Sequence, residues 1–144
     1  VHATLSPYLY LKIGLVSPYP TSLTEVSVAY WKSAGLDVTE VVGAFNDESE
    51  FHPIYSLRAE SSVEALRSLE DKDLDAIVML GTGMPTLQPI LDVANWNGAP
   101  VTSCMLSLAW RTVMYIDGTD PSKENMLAWS KGEEWRGRMK AHSL

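Results

Sequence analysis

An apolar stretch from Leu9 to Ser17, rich in Leu, Ile and Val, is bracketed by Pro7 and Pro18. A short apolar run closed off in this way predicts a strand buried on both faces. After Ser17-Pro18-Tyr19-Pro20, the segment Ser22-Leu23-Thr24-Glu25 has the spacing of a capping box. Leu23, Val26, Tyr30 and Ala34 then fall on one side of a helix that Gly35 stops. Val38 to Val42 predicts a second strand, followed by a polar, loop-like Gly43 to Pro53 that carries Asp47, Glu48 and Glu50. Ser61-Ser62-Val63-Glu64 repeats the capping pattern, and Val63, Leu66 and Leu69 form the stripe of a helix near 61–70. Ala76 to Leu80 reads as a third buried strand. It runs into the loop Gly81-Thr82-Gly83-Met84-Pro85-Thr86, and the helix beyond carries Leu87, Ile90, Leu91 and Val93. Asn97-Gly98 turns the chain into a fourth strand, Pro100 to Ser103. A helix over about Met105 to Tyr115 follows, and Asp120-Pro121 is expected to cap and start a last one.

Strands alternating with capped helices predict an α/β three-layer sandwich, with a parallel, flavodoxin-like or Rossmann-like sheet of about four strands. In such sheets ligands gather outside the carboxyl ends of the strands. That places Ser17-Pro18-Tyr19, Gly81-Thr82-Gly83 and Ser103-Cys104 around one crevice.

Composition narrows the function classes. The chain has 144 residues, 46% hydrophobic and 20% charged, which suits a single domain with a core and leaves no apolar run long enough to span a bilayer. The formal charge of -7 is spread along the chain and argues against a nucleic-acid partner. Cys104 is the only cysteine, so no internal disulfide or multi-cysteine metal site can form, and the three histidines lack zinc spacing. A reducing, cytoplasmic setting is expected, with no membrane association. Val1-His2-Ala3 has neither a signal-peptide layout nor an initiator methionine, and the chain is expected to be a fragment.

The glycine loop is the first candidate for chemistry. Gly81 and Gly83 let backbone approach an anion closely, a following helix would offer free N–H groups, and Thr82 and Thr86 add hydroxyls. The dinucleotide fingerprint needs a glycine at Thr86, and a phosphate loop needs a Gly-Lys-Ser/Thr that is absent, which disfavours a nucleotide. The plain alternative is a tight strand-to-helix turn. Tyr19, held between two prolines, can donate a phenol proton to a developing enolate or carboxylate, or can be a surface residue of a proline-rich turn. Cys104 at a helix start is a candidate nucleophile or carbon acid-base, against the commoner role of a small buried hydrophobe. His52 suits a general base but reads more simply as a loop histidine, and Arg111 suits a carboxylate fork but reads more simply as a surface residue. Trp96, Trp129 and Trp135 are too scattered for a stacking platform. The tail Lys131 to Lys140 mixes charges without an apolar stripe and receives no chemistry, only docking on a partner or partial disorder.

Taken together, Ile13-Gly14-Leu15-Val16-Ser17-Pro18-Tyr19, Leu23-Thr24-Glu25 and Ala34-Gly35-Leu36-Asp37-Val38 resemble the opening of the C-terminal half of the aspartate/glutamate racemase superfamily. Within it, these segments look most like the branch of maleate cis-trans isomerase and arylmalonate decarboxylase. Asp75-Ala76-Ile77-Val78, the glycine loop with Thr86-Leu87, and Pro100-Val101-Thr102-Ser103 extend the resemblance over about residues 11–116. The expected division is a linker or leading segment at 1–10, a racemase-like α/β domain at 11–118, and a C-terminal helix and tail at 119–144.

The resemblance further implies two similar α/β domains with a cleft between them, no cofactor, and a cysteine from each domain working at a carbon next to a carboxylate. Tyr19 would hydrogen-bond the substrate carboxylate, with Thr82 and Gly83 as the cradle and Ser17, Gly81 and Ser103 around it. The family's second-domain cysteine position is Gly81 here, whereas Cys104 lies one strand later. Half of the cleft would have to come from a second racemase-like domain or subunit.

The expected function is therefore a cofactor-independent isomerase, racemase or decarboxylase of a small (di)carboxylic acid, with Tyr19 and Cys104 as candidate catalytic residues of this chain, the reactive thiol of the complete protein expected outside it, and no metal. The alternatives are a non-catalytic carboxylate-binding or regulatory protein of the same fold, and a solitary domain without a small-molecule site.

Overall fold

The computed structural model describes residues 11–44 and 57–138, so the leading segment 1–10, most of the acidic loop with His52, and residues 139–144 lie outside the described residues. Among the described residues, four strands form one parallel sheet: β1 (Lys12–Ser17), β2 (Asp37–Gly43), β3 (Ala76–Met79) and β4 (Val101–Ser103), in the order β2-β1-β3-β4. The chain steps from β1 to β2 on one side, then crosses back to β3 on the other. The junction of β1 and β3 is thus the topological switch point, where an open parallel sheet leaves a crevice at its carboxyl edge.

Among the described residues, five helices connect and follow the strands: α1 (Thr21–Ser33), α2 (Ala59–Arg67), α3 (Leu87–Asp92), α4 (Cys104–Ile116) and α5 (Lys123–Ser130). Alternate residues of the strands feed two cores. Ile13, Leu15, Val38, Ala76, Val78 and Leu80 pack with Trp31 of α1. Val16, Ile77, Met79 and Val101 pack with Leu66 of α2, Ile90 of α3, Trp110 of α4 and Trp129 of α5. This division is the expected three-layer α/β sandwich, because strands buried on both faces require helices on both. Among the described residues, no helix is long and apolar enough to cross a membrane.

Several local expectations are corrected. The stripe Leu23, Val26 and Tyr30 does not face the sheet: these side chains are exposed, and α1 turns Trp31 and the half-buried Val28 inward instead. Pro20 precedes the first residue of α1, and no Ser22 capping box forms. Likewise α2 starts at Ala59, behind Arg58, without a side-chain cap. The last helix is capped by Ser122, which accepts from Asn125 N while the Asn125 side chain accepts from Ser122 N, rather than by Asp120.

The tail is not a loose end as far as Arg138. Trp135 is buried, donates Nε1–H to the Trp129 carbonyl at 2.8 Å, and joins the α4–α5 core, while Arg136 reaches the Leu91 carbonyl at 3.4 Å. Its charges sit outside a single buried aromatic, a pattern with no period to read.

Candidate functional site

Parallel register brings the three candidate loops together. Val16 pairs with Met79 and Met79 with Ser103, so the residues that leave β1, β3 and β4 emerge side by side at the carboxyl edge. Leu80 N–H donates to the Val16 carbonyl at 2.9 Å, which extends the pairing one residue toward Gly81.

The first loop is fixed by hydroxyls. Ser17 is fully buried, shares a 2.7 Å hydrogen bond with Thr24 Oγ1, and accepts from Tyr19 N–H at 3.2 Å. Thr24 also donates to the Tyr19 carbonyl at 3.1 Å. Ser17 therefore holds the backbone of Tyr19 from behind instead of presenting a free hydroxyl. The sequence reading missed Thr24 as part of this clamp; its one signal was a hydroxyl one helical turn after a proline-bounded Ser-Pro-Tyr-Pro.

Gly81 has φ of +78°, a left-handed conformation that favours glycine. A Cβ added there would lie 2.9 Å from Pro18 Cγ and 3.0 Å from the Tyr19 hydroxyl. The phenol of Tyr19 thus rests directly over the Gly81 backbone. On the other side, Cys104 Sγ donates to the Gly81 carbonyl at 2.9 Å. Tyr19 and Cys104, far apart in sequence, consequently flank one glycine, both half-buried.

Ser103 is fully buried and serves as the N-cap of α4, accepting from Leu106 N–H at 3.2 Å. Its cap leaves Cys104 as the first residue of a 13-residue helix, at the end where the backbone dipoles are positive. The glycine loop has no such helix of its own. The six-residue α3 starts only at Leu87 behind an uncapped Thr86, so the expected helix N-terminus beside Gly81 belongs to α4 instead. Thr82 and Gly83 stand exposed at the rim, whereas Met84 and Thr86 turn inward and anchor the loop.

Two candidates lie away from the crevice. Arg111 is exposed on α4, with its guanidinium 5.6 Å from the Trp110 ring centroid, and His52 lies outside the described residues. The tryptophans are structural: Trp96 Nε1 donates to the Ala99 carbonyl at 3.1 Å, and Trp129 and Trp135 are core. Among the described residues, no three His, Cys, Asp or Glu side chains gather as a metal site requires.

No protein-family model matches the chain, and no curated protein matches it by sequence. Solved structures do match. The Pseudomonas putida S16 maleate isomerase Iso(C200A) with maleate superposes with a TM-score of 0.68 at 23% identity, over 81% of this chain and 46% of that one. The Nocardia farcinica maleate cis-trans isomerase C194S mutant, with a covalently bound succinylcysteine intermediate, gives 0.68 at 24% identity, over 81% and 47%. Arylmalonate decarboxylase gives 0.61 at 20% identity, over 82% and 52%. The chain spans about half the length of these structures. Its fold is the α/β fold found in maleate isomerase and arylmalonate decarboxylase.

Proposed function

We propose that the complete protein is a cofactor-independent isomerase, racemase or decarboxylase of a small (di)carboxylic acid, and that this chain supplies one wall of its cleft. The observation that carries the reading is that the Tyr19 hydroxyl and the Cys104 thiol both lie against Gly81, at the carboxyl edge of the sheet. Backbone N–H groups of an exposed glycine loop and a phenol donor suit a carboxylate. Thr82, Gly83 and Tyr19 form the cradle, Ser17 and Ser103 hold its loops, and Cys104 is the thiol that this wall presents. A second racemase-like domain or subunit closes the cleft from above. A free thiol in this role suits a reducing, cytoplasmic setting.

The named neighbours support this choice of substrate class, one with bound maleate and one with a succinyl group on a cysteine. For an alkene such as maleate, the thiolate sulfur would bond to one alkene carbon. The π pair then moves onto the other carbon and its carboxylate, where the Tyr19 hydroxyl donates. Rotation about the resulting single bond and expulsion of the thiolate restore the alkene in its other geometry. Donation at the developing oxyanion is the step where Tyr19 lowers the barrier.

A second reading rests on Gly81, which carries no side chain where the resemblance places a cysteine: a carboxylate-binding or regulatory protein without turnover. Proton NMR of the complete protein with maleate or an arylmalonate in deuterated water separates the two. Isomerisation, decarboxylation or α-carbon exchange that is abolished in Cys104→Ser and reduced about 100-fold or more in Tyr19→Phe supports the enzyme. Binding without turnover supports the second reading, and the absence of both overturns the carboxylate site.

A further inference from the structure

Between α3, α5 and the amino end of β4 lies a cavity of about 180 Å³, whereas the crevice at Gly81 lies beyond the carboxyl end of that strand. Ile90, Val93, Val101 and Leu127 give it an apolar lining, and Trp96 forms part of its wall. Gly98 makes room for the indole: a Cβ there would lie 2.8 Å from Trp96 Cε2. The indole N–H is committed to the Ala99 carbonyl, which holds the ring in place. An apolar cavity of roughly 150 Å³ takes up a benzene-sized guest, so one six-membered ring matches this space.

Two polar groups on the cavity are left without partners. Ser130, the last residue of α5, is 7% exposed, and its hydroxyl makes no hydrogen bond among the described residues. Nearby, the buried Thr102 and Ser107 hydroxyls satisfy each other at 2.9 Å. Buried hydroxyls are nearly always bonded, so one left open on a cavity wall calls for a bonding partner inside it. Lys131, the next residue, is exposed at the rim, and the described ion pairs are those of Lys12, Arg67 and Lys72. No acid lines the cavity, although the chain carries a formal charge of -7. The last carbonyls of α5 are already occupied: those of Leu127, Ala128 and Trp129 accept from Lys131 N, Glu133 N and Gly132 N.

We propose that this cavity is a second binding site, for a small aromatic carboxylate. Its ring lies against Trp96 and the apolar lining, and its carboxylate reaches the Ser130 hydroxyl and the Lys131 ammonium. Small-molecule pockets combine a mostly apolar lining with a few polar groups that fix orientation. The three features select together. A neutral guest, or an apolar side chain from elsewhere in a longer protein, leaves Ser130 and Lys131 unanswered, and a simple anion leaves the apolar lining in water. The site shares no residue with the three loops of the crevice and needs no second domain to complete it.

Heteronuclear NMR of the 144-residue chain titrated with benzoate tests the proposal, with the Trp96 indole N–H, identified by its loss in Trp96→Phe, as reporter. A saturable shift of that signal at millimolar benzoate is expected. Benzyl alcohol, a ring without charge, and acetate, a charge without a ring, should each bind at least about fivefold more weakly. Lys131→Gln should weaken benzoate about fivefold and leave benzyl alcohol unchanged. Ser130→Ala should weaken benzoate without lowering the melting temperature, since it removes an unpaired group. Tyr19→Phe, in the other carboxylate site, should leave the shift unchanged, so failure of one site is distinguishable from failure of the other. A Trp96 signal that benzoate does not move overturns the proposal. So does benzyl alcohol binding as tightly as benzoate, or a shift that is undiminished in Lys131→Gln or lost in Tyr19→Phe.

Discussion

The hydroxyl of Tyr19 occupies the edge of the space in which a side chain at Gly81 would begin, 3.0 Å from an ideal Cβ. Two consequences follow from that contact. The position that the racemase resemblance assigns to a cysteine is crowded in this backbone by Pro18 and Tyr19, and the thiol nearby belongs to Cys104 at the start of α4, which donates to the Gly81 carbonyl.

Gly81→Ala is therefore expected to destabilise the chain by about 2 kcal/mol or more. Roughly 1–2 kcal/mol arises from placing an L side chain in the left-handed region, and displacement of the Pro18 ring adds to it. Gly81→Cys should be at least as costly and should not confer activity. Urea unfolding of each variant checks this, and a loss below about 0.5 kcal/mol for Gly81→Ala would show that the loop relaxes freely.

How much of this was legible beforehand depends on distance along the chain. The four strands and the doubly covered sheet follow from apolar runs and turn residues, which are local signals. The inward face of α1 was not legible, because Leu23, Val26 and Tyr30 have the same helical spacing as a core stripe, and Trp31 wins only once its bulk meets Ile13 and Leu15. Cys104 lies 23 residues from Gly81; the strand pattern puts both at one crevice, but the hydrogen bond between them is not legible in the sequence. It arises from the register Met79 to Ser103, known only when strand order is known. The Asp120-Pro121 cap fails for a different reason: Ser122 offers the same chemistry two residues later, with Asn125 in place to reciprocate.

Thr24 ties α1 to the Ser17-Tyr19 turn, so its removal should act on both stability and binding. Thr24→Val leaves the fully buried Ser17 hydroxyl without its 2.7 Å partner and the Tyr19 carbonyl without its donor. A loss of about 1–2 kcal/mol is expected. Where the complete protein turns over a carboxylate, KM should rise more than kcat falls, because the tyrosine is loosened rather than removed. Thr24→Ser keeps the hydroxyl and should recover most of both quantities. Failure of serine to rescue would assign the effect to the lost methyl packing.

At the opposite end of the sheet, the Lys12 ammonium meets the Asp73 carboxylate, joining the start of β1 to the approach to β3. Hydrogen bonding to Lys12, followed by its charge, lowers the Asp73 pKa, and the same partner raises that of Lys12. The sign follows from linkage. A depressed carboxyl contributes stability above its unfolded pKa and loses it as pH falls through the folded value. A raised ammonium contributes below its unfolded pKa and loses it as pH climbs through the folded value. Both groups are open to solvent, so the effect is small and screened. Melting temperatures of wild type and Asp73→Asn should differ slightly at neutral pH and low salt, and converge in strong acid, in strong base above the Lys12 titration, or in 1 M salt. A difference that persists in acid would place the effect elsewhere.

Asn125 is the polar joint between α4 and α5. Its Oδ1 accepts from Trp110 Nε1 at 3.0 Å and from Ser122 N at 3.1 Å, and its Nδ2 donates to the Asp120 carbonyl at 3.1 Å. Trp110 is 3% exposed, so loss of this acceptor strands an indole N–H against the core. Asn125→Ala removes that acceptor and half of the capping box together, and a destabilisation of about 2–3 kcal/mol is expected. Asn125→Asp preserves an acceptor for both N–H groups and places a negative charge in the first turn of α5, where the helix dipole favours it. It gives up the donation to Asp120, and its second oxygen must turn from that carbonyl toward solvent. Its loss should therefore stay within about 1 kcal/mol. Denaturant unfolding followed by tryptophan fluorescence distinguishes the two variants, and an aspartate as damaging as alanine would mean that the Asp120 contact, not the Trp110 acceptor, holds the joint.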